Sequence, residues 1–191
     1  MAFSFEEWSL IIGHFINLGT VILGVIGARM ALSQYRSANQ TRREDLRWRQ
    51  AEHAENLLNQ IMSNPNVVNA FRLLDWNGAK KFLYTNGDES GHIEATWADQ
   101  DTDLQQSSGS LREMFVRESF DSLYEAFERV EHAITIGAVI FEDVEQPFRY
   151  YVSKIYLRKK AFDTFQMKWG YKRAGKFIER YSRILAKPTA P

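Results

Sequence analysis

The chain of 191 residues contains no cysteine. That excludes disulfides, thiolate nucleophiles and any zinc site built on sulfur ligands. It suits a reducing compartment without requiring one. Histidine is scarce too, with four in all: His14, His53, His92 and His132. None stands in an H-E-x-x-H or other ligand spacing, so a metal would need carboxylates brought from far along the chain. His132 follows Glu128 by four residues and reads as an ion-paired surface histidine. Glycine is never arranged as a phosphate-binding loop or a dinucleotide fingerprint. In "GDESG", residues 87–91, Ser90 lies one place too late for a nucleophile elbow. "DQDTD" sets Asp99, Asp101 and Asp103 at the first three ligand positions of a calcium loop. Leu104 then replaces the required glycine, and Ser110 stands where a bidentate glutamate belongs. No catalytic, cofactor or metal site is expected from these patterns.

Charge is missing altogether from one stretch. Residues 8–28, "WSLIIGHFINLGTVILGVIGA", carry none, and Arg29 follows at once. As a helix they would extend about 31 Å, against a hydrocarbon core of about 30 Å. A cleaved signal peptide would want a basic start and a small-x-small cleavage site, whereas this chain begins "MAFSFEE". The reading is a transmembrane helix with Trp8 as an interfacial anchor. Glu6 and Glu7 precede the span, and Arg29, Arg36, Arg42, Arg43, Arg47 and Arg49 follow it. Positive residues stay on the cytoplasmic side, so residues 1–7 form an external tail and the remainder is cytoplasmic. Within the span, Gly13, Asn17, Thr20, Gly24 and Ala28 recur at spacings of three and four. They would line one face for self-association, with Asn17 able to hydrogen-bond across it. Arg42, Arg43, Arg47 and Arg49 are candidates for contact with anionic lipid headgroups.

From residue 29 there is no glycine or proline until Pro65. The helix is therefore expected to continue as a juxtamembrane stalk over residues 29–47, polar almost all round between Ser33 and Asp45. A stripe of Trp48, Ala51, Ala54, Leu57, Leu58, Ile61 and Met62 then opens a helical domain over residues 48–187. Asn64 and Pro65 start a second helix through capping and a preset backbone angle, and "DWNG" closes it. Weak alternation around a glycine-bearing loop suggests a small β-hairpin between Lys80 and Trp97. Residues 98–110 read as a mobile polar loop. Phe120, Leu123, Phe127, Val130 and Ile134 are spaced three and four apart, the mark of a core-facing helix that Gly137 ends. A further helix begins near Phe141 and tolerates Pro147, and the last covers about residues 171–186. The fold class is mainly α.

Fifteen acidic residues occupy 88–145 against Arg112, Arg117 and Arg129, whereas eleven basic residues occupy 154–187 against Asp163 and Glu179. Adjacent helix faces of opposite charge explain this better than a tail for nucleic acid, because the basic stretch is also rich in aromatics. "FDSLYEAFERVEHAITIGAVIFEDVEQPFRYYVSKI", "WGYKRAGKFIERY" and "RLLDW" resemble bacterial proteins with one N-terminal span, a cytoplasmic helical domain and no established activity. The resemblance implies an inner-membrane protein with the same layout. The expectation is a single-pass protein that oligomerises through its span and binds a cytoplasmic protein, not nucleic acid. A membrane-perturbing effector of stress or phage defence, and a membrane-tethered enzyme with an unrecognised site, are the alternatives.

Overall fold

The computed structural model describes residues 5–76, 81–86, 89–105 and 109–185; side chains are described from residue 23 onward, except at 81, 83–86, 89, 90, 183 and 185. Among these residues the fold is mainly helical. The helices are α1 (Phe5–Ser63), α2 (Pro65–Asp75), α3 (Trp97–Gln105), α4 (Leu111–Thr135), α5 (Phe141–Leu157), α6 (Lys159–Trp169) and α7 (Lys172–Leu185). Strands β1 (Lys81–Asn86) and β2 (Glu89–Glu94) form one antiparallel hairpin, with Phe82 paired to Ile93. The chain divides into two units, Met1–Arg49 and Gln50–Pro191.

The first unit is helical from Phe5 onward. Residues 23–49 are exposed, including Leu23, Val25, Ile26, Met30, Leu32, Tyr35, Leu46 and Trp48. Their helicity rests on propensity and on local bonds, such as Gln40 Nε2 donating to Glu44 Oε1 at 2.9 Å. Among the described residues no helix is long and apolar enough to cross a membrane. The expected transmembrane helix therefore gains no support from the structure. The side chains of residues 8–22, most of that span, lie outside the described residues.

In the second unit α4 is the central helix, packed against α2, α3, α7 and the hairpin. Its three-and-four spacing turns Phe120, Leu123, Phe127 and Val130 wholly inward, with Ile134 packed at the margin. Around it lie Phe148 from α5, Phe162 and Phe165 from α6, and Phe177 and Tyr181 from α7, all fully buried within about a percent. Side chains of this size each contribute about 1.5–3 kcal/mol when removed from water, and edge-on ring pairs such as Phe127–Phe148, centroids 5.6 Å apart, fix their orientation. Asn64 Oδ1 accepts from Asn66 N at 2.9 Å and Pro65 opens α2, as the residues require. Gly137 and Gly170 follow α4 and α6 with φ of 73° and 78°, angles that cost a side chain dearly.

Three sequence expectations are corrected. The polar loop expected over 98–110 is largely α3. Trp48 does not belong to a buried stripe, being 77% exposed, and Met62 is at 36%, although Ala54 and Ile61 are buried. The helix from Phe141 is broken at Arg158 into α5 and α6.

Candidate functional site

Helix α3 is an improbable helix by composition, since "WADQDTDLQ" is rich in residues that prefer turns and caps. Its start is held by Thr96 and Asp99, which cap one another. Thr96 N and Oγ1 donate to Asp99 Oδ2 at 3.0 and 2.8 Å, and Asp99 N donates to Thr96 Oγ1 at 3.2 Å. These Thr96 bonds, first from the backbone and then from the hydroxyl, hold the Asp99 carboxyl below its usual range, and Arg112 adds to the effect.

Two arginines from elsewhere in the chain complete the helix. Arg112 on α4 reaches Asp103 with Nε at 2.8 Å and Nη2 at 3.1 Å, and Asp99 with Nη1 at 3.2 Å. Arg158, at the break between α5 and α6, is 8% exposed. Its Nε donates to Asp101 Oδ1 at 2.9 Å, with Nη2 bonded to the same oxygen. Nη1 donates to the buried Gln100 Oε1, also at 2.9 Å. The Gln100 amide in turn donates to Leu73 O at 3.1 Å and Ala95 O at 3.4 Å. The guanidinium lies 5.0 Å from the Phe162 ring centroid and 5.5 Å from that of Trp97. Burial pushes Arg158 below the ordinary guanidinium range, and Asp101 draws it back. Arg158 and Gln100 together thus tie α3 and the α5–α6 corner to the ends of α2 and β2.

Among the described residues this is a dense polar centre of the second unit. Asp99, Asp101 and Asp103 each have an arginine partner. Asp99 and Asp103, four residues apart, share the face of α3 that Arg112 grips, whereas Asp101 lies on another face and meets Arg158. Asp103 is nearly buried, whereas Asp99 and Asp101 stay 37% and 35% exposed. Among the described residues, no group of three histidine, aspartate or glutamate side chains could hold a metal ion. His53, His92 and His132 are exposed, and His14 lies outside the described residues.

The segregated charge is resolved inside the chain. Glu131 on α4 is 3% exposed and holds Arg180 on α7 through bonds of 2.7 and 2.8 Å. Glu128 Oε1 accepts from Arg173 N at 2.6 Å and Ala174 N at 2.9 Å, satisfying the start of α7. Tyr171 donates its hydroxyl to Asp121 at 2.9 Å. Acidic α4 and basic α7 are neighbours, so part of the charge in each segment is spent on the other.

The residues expected to contact other molecules all lie on α1. Gly24 and Ala28 are exposed, and a Cβ added at Gly24 would meet nothing within 4 Å. Gly13, Asn17 and Thr20 lie outside the residues whose side chains are described. Arg42, Arg43, Arg47 and Arg49 are all exposed. Arg42 and Arg49, with Asp45 and Leu46, line a shallow depression of about 350 Å³. Arg43 lies on another side of the helix, so the four arginines do not form one patch. The sequence reading missed Arg112, Gln100 and Arg158 as a polar centre. The one available signal was that Arg112 is an isolated base within an acidic stretch. Comparison with protein-family models, curated proteins and solved structures finds no match to this chain.

Proposed function

We propose that this chain is a single-pass bacterial inner-membrane protein that works by assembly and protein binding rather than catalysis. The observation that carries the reading is the uncharged run of residues 8–28 between Glu6–Glu7 and six arginines. Its length matches a bilayer core, and its flanks place the N-terminus outside and the remainder in the cytoplasm. Exposed Leu23, Val25 and Ile26 continue that apolar character in the described part of α1. Gly13, Asn17, Thr20, Gly24 and Ala28 would let copies approach closely in lipid, making the span the site of homo-oligomerisation. In the second unit, exposed Tyr150, Leu157, Met167 and Trp169 offer apolar surface to a cytoplasmic protein.

Fractionation tests the anchor. The full-length chain is expected in the membrane pellet after alkaline carbonate extraction, with a C-terminal alkaline-phosphatase fusion inactive. Recovery in the carbonate supernatant would overturn the membrane reading, and an active fusion would overturn the orientation.

A further inference from the structure

Residues 25–39 of α1 carry one stripe of side chains at regular spacing. Val25, Ala28, Leu32, Tyr35 and Asn39 follow one another at spacings of three, four, three and four. All five are exposed, with Val25 at 63%, Leu32 at 50% and Tyr35 at 66%. Ala31 and Ala38 widen the stripe on one side, while Arg29, Arg36 and Arg43 border it on the other. The far side of the helix carries Ile26 and Met30 as well as Ser33, Ser37 and Gln40. A repeat averaging 3.5 residues keeps one face toward a partner helix only if the two supercoil left-handedly.

We infer that residues 25–39 form a parallel, in-register two-helix seam with a second copy of this chain. The inference deepens the proposed assembly role and takes its parallel orientation from the proposed anchor. The seam shares Ala28 with the face proposed in the span, while Asn17 and Gly24 fall in line with the alanine flank of the seam. Three features choose a second copy in that orientation. In a parallel pair the arginine flank of one helix lies beside the alanine flank of the other, so Arg36 stems cover Ala31 and Arg43 stems cover Ala38. An antiparallel pair would set Arg29, Arg36 and Arg43 against their own counterparts, with like charges opposed. Asn39, at the same seam position as Val25 and Leu32, meets an identical amide only in this register. One amide then donates while the other accepts, the arrangement by which a seam asparagine selects two strands. The seam ends at Arg42, the next position in the repeat, where two guanidinium groups would face each other. About two heptads are too short to hold two free chains together, but confinement to one membrane raises the effective concentration.

Because the chain has no cysteine, a scan with single cysteines reports directly on this geometry. Full-length variants carrying one cysteine at each position from 25 to 39 would be oxidised in native membranes with copper phenanthroline. Disulfide-linked homodimer is expected to peak at Val25→Cys, Ala28→Cys, Leu32→Cys, Tyr35→Cys and Asn39→Cys. The yield there should be several-fold above Ser33→Cys and Ser37→Cys. Equal yields along the helix, peaks in another phase, or adducts with a different protein would each overturn the seam. Carbonate extraction of the same membranes is read separately. A chain released by carbonate that keeps the pattern refutes the anchor alone, and a retained chain without it refutes the seam alone.

Discussion

Tyr124 sits in the middle of the second unit and is fully buried. Its hydroxyl has no hydrogen-bond partner among the described residues. The ring is held on all sides, with centroids of Phe165 and Tyr171 at 5.3 Å, Phe127 at 6.0 Å and Phe162 at 6.4 Å. Phenylalanine would keep each of these contacts and lose only the oxygen. Leaving a buried hydroxyl unpaired costs about 1–3 kcal/mol. The void of one oxygen returns at most a few tenths, on the order of 0.3 kcal/mol. Tyr124→Phe is therefore expected to stabilise the protein by about 1–2 kcal/mol, or to raise Tm by roughly 3–6 °C. Thermal and urea unfolding of purified full-length protein, followed by near-UV circular dichroism, would measure it. Burial also drives the phenol far above its ordinary pKa of 10.0, with Asp163 adding to the shift. Its neutral form is favoured in the folded state, so its contribution is complete below pH 10 and falls as pH rises above the unfolded value. Tyr171 and Tyr181 are raised likewise, chiefly by burial. Stability should accordingly fall steeply above pH 10, and less steeply in Tyr124→Phe. Loss of more than about 1 kcal/mol in the variant at neutral pH would show that the hydroxyl is bonded in the folded protein and refute the reasoning.

Two further outcomes follow from named contacts. Arg158→Met should destabilise by about 2–3 kcal/mol in the same assay, because Gln100 Oε1 and Asp101 lose their partner. The figure sits below the usual range for a broken buried pair since Asp101 is 35% exposed and water replaces part of the interaction; an unchanged unfolding midpoint would mean that the network contributes little. A fragment beginning at Arg29 should bind anionic liposomes about fivefold more weakly for each Arg→Gln change at Arg42, Arg43, Arg47 or Arg49, and more weakly in high salt; binding indifferent to both would leave these arginines with a topological role alone.

Where a structural decision rests on neighbours in the chain, the residues alone determined it. Asn64 and Pro65 start α2 because cap and fixed backbone angle act within one turn. The spacing of Phe120, Leu123, Phe127 and Val130 specified both a helix and its buried face. The run without glycine or proline after residue 28 determined a continuous α1. The hairpin was visible in the alternation around its loop. Tertiary structure decided matters whose physical cause lies far along the chain. "DQDTD" becomes helix because Arg112 and Arg158 arrive from 9 and 57 residues away to neutralise Asp103 and Asp101; its own propensity favours a turn. The partition of acidic and basic segments became interpretable only when α4 and α7 packed together and Glu131 met Arg180, 49 residues apart. Such pairings depend on through-space distance, which local periodicity does not encode. The pairing of the three aspartates with Arg112 and Arg158 was therefore a property of the fold.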